Sequence, residues 1–324
     1  MARPLVGLDV GGTKVLGVVI DPDAPGTPLA EHRAATPATV EELVEVLATT
    51  VTELQEACSA LGPSPAAIGV GLPGVIDHDG VLRGAPNLRH AIDQPVRPAL
   101  EARIGAPVWF GNDADCALWA EAQVGAGRGA QHLVLAALGT GIGGAVMVDG
   151  GLARGMHGYA GEPGHMVVER DGIACPCGRR GCWERYASGA GLARIARDAA
   201  RAGRATAVLA RAGGDPEAIR GEHVGAAADA GDAEAVGLFA EFAAWVAIGV
   251  GNLFNLLDPE MVILGGGLAD RADHYLDEVR RLVPGEVLGA GAHRATRVVV
   301  AELGPSAGAI GAALLAGRAA RRVG

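Results

Sequence analysis

The sequence predicts an α/β protein built from two related halves, and three observations predict it. Short apolar β-type runs alternate with stretches of helical periodicity along the whole chain. The string LDVGGTKVLGVVI, starting at Leu8, is echoed from Leu138 by LGTGIGGAVMV, each a strand, a glycine-rich tight turn and a second strand. The 324 residues suffice for two domains at the usual ~100–200 residues apiece, and 49% hydrophobic content supplies a buried core. Two related halves facing each other would leave a cleft, with one glycine turn pointing in from each side. Glycine accounts for 51 residues, roughly twice its ordinary share. With no three-residue period, it points to positions that need positive φ or a close approach of ligand to backbone.

The elements follow in order. Leu5–Val10 and residues 15–20 form a hairpin across GGTK. Thr39 and Glu42 make a capping-box pattern that opens a helix. Its apolar stripe is Val40, Leu43, Val44, Leu47, Val51, Leu54, Cys58 and Leu61. Residues 66–72 are a buried strand ending in LPG, and Asp79-Gly80 marks a turn. Residues 107–110 are a strand leading through GNDADCALWAE into a helix. Residues 132–138 and 145–148 are strands on either side of LGTGIGG. Residues 186–202 and 232–257 have helical periodicity, the second apolar nearly all round and so expected in the core. Residues 261–264 are a strand running into GGG, and 306–321 an Ala-rich closing helix.

Charge and motif context exclude several classes. The net charge of −10 argues against nucleic acid as the main partner, because phosphate backbones are bound by surplus Lys and Arg. Lys14 is the single lysine, and it follows Thr13 rather than glycine, so the chain has no Walker-A loop. GxGxxG occurs at 69–74 and 139–144, but strand-like sequence follows each, where a dinucleotide fingerprint would open a helix. Backbone N–H groups in such turns can instead form nests for phosphate oxygens. Asp9, at a strand end, would position Mg²⁺ or its water shell beside them. The N-terminus enters a strand without a charged-then-apolar leader, and the longest charge-free stretches fall short of a membrane span. The expectation is a cytoplasmic protein with no membrane partner. Three of the five cysteines, Cys175, Cys177 and Cys182, cluster in ACPCGRRGCWE, with His165 ten residues upstream in GEPGH. Three thiolates and an imidazole make a structural zinc set, and Gly178 and Gly181 would permit its tight knuckle. A redox pair and reduced buried thiols are the alternatives at this point. Cys58 and Cys116 lie on helix faces and read as structural.

LDVGGTK, GNDA, LGTGIGG, GEPGH, CPCGRRGCWE and ILGGG, in that order, resemble the ROK (repressor, open reading frame, kinase) family, most of all its bacterial glucokinases. The resemblance spans residues 4–316. It implies an actin-like, ribonuclease H-like hexokinase-type fold with a duplicated βββαβαβα core and two domains around a cleft. The expected division is 1–111 plus 307–324 as a small domain, and 112–306 as a large one carrying the zinc site. It also implies phosphoryl transfer from ATP, with Mg²⁺, to a hexose hydroxyl at O6, a structural Zn²⁺, and a homodimer or tetramer. Asp113 matches the general base, a carboxylate suited to take the proton of a weakly nucleophilic hydroxyl. An N-cap is what the residues alone would suggest for Asn-Asp at a helix start. Asn112 and Asn87 match sugar-hydroxyl contacts, and Gly74 matches backbone beside the sugar. Glu162, His165 and Glu184 match the groups that hold the remaining hydroxyls. Asp9, Gly11, Gly12, Thr13 and Lys14 match the first phosphate loop, Thr140 and Gly141 the second. Gly265 and Gly266 match the segment near adenosine and the α-phosphate. Lys14 either touches phosphate or pairs with a carboxylate.

Two positions depart from the family pattern. Gly111 stands where Glu is expected, and Pro163 where an aliphatic residue is expected. Proline lacks an N–H and should push Glu162 toward extended backbone, reshaping the sugar pocket. A repressor is not expected, since only eight residues precede Asp9. The leading expectation is a glucokinase. The alternatives are a kinase for N-acetylmannosamine, N-acetylglucosamine, mannose or fructose, a polyphosphate-using glucokinase, and an inactive sugar sensor.

Overall fold

A computed structural model describes residues 3–61, 64–85, 88–289 and 297–323. In chain order its first elements are β1 (Leu5–Val10), β2 (Lys14–Ile20), β3 (Ala30–Ala35), α1 (Val40–Leu61), β4 (Ala67–Leu72), β5 (Val75–Ile76), β6 (Leu82–Gly84), α2 (Val96–Ile104), β7 (Trp109–Asn112) and α3 (Asp113–Val124). There follow β8 (Leu133–Leu138), β9 (Ile142–Val148), β10 (Gly151–Leu152), α4 (Glu184–Ala187), α5 (Gly189–Arg201), α6 (Thr206–Arg211), α7 (Gly221–Asp229) and α8 (Ala233–Leu257). The chain closes with β11 (Met261–Gly265), α9 (Leu276–Glu286), β12 (Arg297–Val300) and α10 (Ala307–Val323). Two compact units result. The first holds Met1–Gln131, Val146–Ala160 and Glu302–Gly324, the second His132–Ala145 and Gly161–Ala301.

In the first unit the sheet order is β3-β2-β1-β4-β7. β1 and β2 pair antiparallel up to Val10 opposite Val15, while β4 joins β1, and β7 joins β4, in parallel. Side chains alternate across a strand, and β1 uses both faces. Val6, Leu8 and Val10 bury with Leu43, Leu47, Val51, Leu54 and Cys58 of α1, where Thr39 Oγ1 accepts from the Glu42 N–H at 3.3 Å as the capping pattern predicts. Leu5 buries on the other face with Ile310 and Ala313 of α10. Gly7 and Gly69 let α10 lie directly on β1 and β4. A methyl added at Gly7 would come within 2.0 Å of the Ala309 carbonyl oxygen, and one at Gly69 within 2.1 Å of that of Ala312. The second sheet, β10-β9-β8-β11-β12, repeats the order, with β8, β11 and β12 parallel. The echoed strings are therefore the first hairpins of two topologically equivalent sheets.

Several elements differ from expectation. β7 lies two residues later than predicted, because pairing of Gly71 with Gly111 and Leu72 with Asn112 extends it to the helix cap. The helix expected over 186–202 is two helices, broken at Ser188 (ψ 176°), whose Oγ accepts from the Gly191 N–H at 3.2 Å and caps α5. β3 and the helices α2, α6, α7 and α9 carried no signal picked out from the sequence. The expected domain boundary after Gly111 passes inside the first unit, because β7 runs unbroken into α3. α8 is longer than its charge-free run, since it also includes Glu234 and Glu241. It is the one helix among the described residues long and apolar enough to cross a membrane, and half of its most apolar window is buried. Leu238, Phe239, Phe242, Val246, Val250, Leu253 and Phe254 all bury within the protein.

Candidate active site and His/Cys cluster

The first unit gathers acidic groups at the carboxyl ends of its parallel strands, where open α/β sheets bind ligands. Asp9, the penultimate residue of β1, lies directly opposite Gly71, the penultimate residue of β4. Around Gly71, the position of a would-be Cβ lies 3.6 Å from Asp9 Oδ1, 3.5 Å from Asp113 Cα and 3.4 Å from Cys116 Sγ. Asp9 and Asp113, 104 positions apart in sequence, thus share one neighbourhood. Asp9 Oδ1 is shut off from solvent and has no hydrogen-bond partner among the described residues. Burial pushes its carboxyl up to about 6, against the opposing pull of the Lys14 charge. A methyl at Gly308, in the first turn of α10, would sit 2.6 Å from Asp9 Cγ and displace the carboxylate. The same acids surround Cys116, whose thiol is pushed well up by burial and by the charges of Asp115, Asp9 and Asp113, so it stays protonated.

The turn after β1 is closed by the Gly11 N–H donating to the Lys14 carbonyl at 2.8 Å. Gly12, Thr13 and Lys14 are exposed. Thr36, just past β3, pins the turn from the side. Its hydroxyl donates to the Gly11 carbonyl at 2.7 Å and its N–H to that of Thr13 at 3.1 Å. Only tertiary pairing of β2 with β3 brings Thr36 there, and no local pattern announced it.

At the start of α3 the capping role falls to Asn112. Its Oδ1 accepts from the Asp115 N–H at 2.8 Å, and its Nδ2 donates to the Gly74 carbonyl at 2.9 Å. Gly74 has φ 111° and a methyl on it would meet the Gly84 carbonyl oxygen at 2.1 Å, so Asn112 fixes a turn only glycine can make. The capping duty therefore lands one residue earlier than Asp113, which opens the helix and accepts from the Ala114 N–H through Oδ1 at 2.8 Å. Beneath it Asp115, 6% exposed, faces Arg154 at 3.1 Å. Burial pushes Asp115 up to about 6 despite that guanidinium. Arg154 also donates to the Ile76 carbonyl at 3.1 Å, tying the segment after β10 to β5. Neither Asp115 nor Arg154 was picked out from the sequence. Asn87 lies outside the described residues.

The second unit carries the other glycine turn. The Gly139 N–H donates to the Gly141 carbonyl at 2.9 Å, and the Gly189 N–H at the start of α5 donates to the Gly139 carbonyl at 2.8 Å. Thr140 is exposed at its tip. Gly265 ends β11, and Gly266 (φ 77°) follows it against the end of β8, a methyl there falling 2.6 Å from the Leu138 carbonyl oxygen.

Beside this turn the ligand atoms of His165, Cys175, Cys177 and Cys182 all lie within 4.8 Å of one another. Cys177 and Cys182 sulfurs are 3.6 Å apart, and Cys175 Sγ is 4.0 Å from His165 Nδ1. A tetrahedron with Zn–S bonds of ~2.3 Å has edges of ~3.8 Å, so spacing and donor set both fit zinc. Burial by itself would raise the Cys177 thiol, but the Arg179 N–H, Cys175 and the Arg179 guanidinium hold it down to about 6. The same contacts favour the thiolate, the form a metal needs. The knuckle depends on Gly181 (φ 71°), where a methyl would meet the Glu169 carbonyl oxygen at 1.6 Å. Glu184 Oε1 accepts from Cys175 Sγ at 3.0 Å, which ties this carboxylate to the cluster. Pro163 occupies the first position of a short 3₁₀ turn, Pro163–His165, where its missing N–H costs nothing. The Glu162 backbone, at φ −100° and ψ 63°, is not driven to the extended conformation that proline was expected to impose.

Sequence comparison then decides the family, since the ROK family pattern matches residues 5–319. The chain belongs to the ROK family. This ROK protein is 38% identical over 314 residues to a glucokinase of Streptomyces coelicolor, with 96% of each chain covered. Its fold matches a Streptomyces griseus ROK glucokinase, solved in complex with glucose and AMPPNP, at a TM-score of 0.85 and 37% identity, covering 97% of this chain and 99% of the other. A further relative, an N-acetyl-D-glucosamine kinase of Mannheimia succiniciproducens, is 30% identical over 96% of this chain and 98% of its own. The two equivalent sheets are accordingly the duplicated core of an actin-like sugar-kinase fold.

Proposed function

We propose that this ROK protein is a sugar kinase that transfers a phosphoryl group from ATP to a hexose, with glucose O6 as acceptor and Asp113 as general base. The observation that carries the reading is the convergence of Asp9 and Asp113 around Gly71 at the strand ends. A carboxylate within hydrogen-bond reach takes the hydroxyl proton as the phosphoryl group leaves ADP, which contributes ~10²–10⁴-fold. Asn112, already holding Gly74, keeps a second amide hydrogen to offer a sugar oxygen. Backbone N–H groups at Gly12–Lys14 and at Thr140 and Gly141 would hold phosphate oxygens. The orphaned Asp9 Oδ1 fits Mg²⁺ or its water shell, which would neutralise phosphate charge when bound. Zinc on His165, Cys175, Cys177 and Cys182 would fix the ring of His165 through Nδ1, leaving Nε2 for a sugar hydroxyl. Glu162 and Glu184 would accept the remaining hydroxyl protons, which rejects analogues lacking them.

The test is a coupled ADP-release assay with Mg-ATP against glucose, mannose, fructose, N-acetylglucosamine and N-acetylmannosamine. Glucose is expected to turn over best, and Asp113→Asn to lower kcat by ~10²–10⁴-fold. Best turnover with N-acetylglucosamine would replace glucose by the substrate named for the 30%-identical relative. Turnover with polyphosphate alone would replace the donor. Sugar binding without turnover would make the protein a sensor.

A further inference from the structure

The loop that carries Glu162 and His165 lies against the strand that leaves the second phosphate turn, and proline makes the central contact. A methyl on Gly144 of β9 would sit 2.4 Å from Pro163 Cγ and 2.5 Å from Cδ, so the ring rests on bare backbone. On either side glycines keep the two segments close, most tightly at Gly164. A methyl on Gly164 would meet the Ile142 carbonyl oxygen at 2.1 Å, and one on Gly161 (φ 97°) would meet Ala145 Cα at 3.3 Å. Pro163 is buried, and β9 begins directly after Gly141. At that turn a methyl on Gly141 would lie 2.5 Å from Glu184 Oε2. A shift of residues 161–165 therefore has no slack to absorb it before it reaches 139–144, because close-packed contacts transmit displacement.

We propose that Pro163 is a positioning residue that couples sugar binding to phosphate binding. Seated on Gly144, its ring sets the height of the second phosphate turn relative to Glu162 and His165. A displacement of the loop by a bound sugar is passed through the ring to the turn, so the second ligand meets a turn already set by the first. The inference rests on the kinase reading above, since it needs a sugar at Glu162 and a phosphate donor at Thr140 and Gly141.

Calorimetric titration separates the two. In the wild type, glucose is expected to tighten AMPPNP binding by a factor in the usual ~5–150-fold range, with AMPPNP tightening glucose by the same factor. Pro163→Ala, which removes the ring carbons over Gly144, is expected to bring that factor down to within about twofold of unity. Its AMPPNP affinity is expected to fall more with glucose present than without it, a split that mere loosening of the fold would not produce. Pro163→Ile, which covers Gly144 again but frees the backbone, is expected to recover part of the coupling, and it reads the same quantity should the alanine variant not fold. An undiminished factor in Pro163→Ala, equal weakening of AMPPNP with and without glucose, or no coupling in the wild type each overturns the inference while leaving the kinase reading standing. Failure of the wild type to bind any sugar overturns the kinase reading, and the inference with it.

Discussion

Asp9 holds a carboxylate oxygen that no described residue satisfies, a costly feature with a functional reason if a cation belongs there. Its folded pKa of about 6 exceeds the ordinary 3.8, so between those values the native state keeps a proton the unfolded chain has released. Stability from this group is therefore fully present below about pH 4 and lost as pH rises through about 6. Asp115, also pushed up to about 6, contributes with the same sign. Asp9→Asn is expected to stabilise the ligand-free protein at pH 7 by about 1–3 kcal/mol, to flatten the fall of Tm between about pH 4 and 6, and to abolish turnover. Calorimetric scans across that range, with the ADP assay, check it. At this scale the sequence was partly legible. The acids and glycines stood out as residue types, but the cap at Asn112 and the bond from Thr36 to Gly11 depend on neighbours far along the chain.

Among elements, the contact of α10 with β1 and β4 is the one most sensitive to a single atom. Gly7→Ala places a methyl 2.0 Å from the Ala309 carbonyl oxygen, which must push the helix off the sheet. A loss of about 1–3 kcal/mol or more is expected from overpacking, read as a lower denaturation midpoint at unchanged m-value. Gly105→Ala makes the contrast, because Gly105 caps α2 at φ 69° with nothing within 4 Å. Only the backbone penalty applies there, about 1–2 kcal/mol. Elements with strong periodicity were legible: α1, the long α8 and the first glycine hairpin formed where expected, while the strand leaving the second glycine turn begins at Ile142, three residues before the expected 145. Short elements were not. Four helices and β3 lack a long stripe, and the break at Ser188 follows from a side-chain cap that competes with continuing the helix.

For the whole molecule, the His/Cys cluster closes a segment, 161–183, that the chain otherwise folds with short isolated bridges rather than a sheet. Metal analysis is expected to find about one zinc per chain, a number Cys177→Ser should lower. Chelation is expected to reduce both Tm and glucose affinity, because the metal's binding energy is folding energy for that segment and the segment carries His165. Loss of zinc without effect on either would remove the cluster from both roles. The sequence by itself determined the α/β class, the duplication, the family and the types of group available. Those follow from hydrophobic period, glycine placement and motif order, and each period or motif is complete within a short stretch of chain. Only the tertiary structure decided that Asp9 and Asp113 share Gly71, that Asn112 is the cap, and that Pro163 rests on Gly144. These depend on strand register and on how closely backbones approach, and a one-residue slip in a sheet would turn every such side chain to the opposite face.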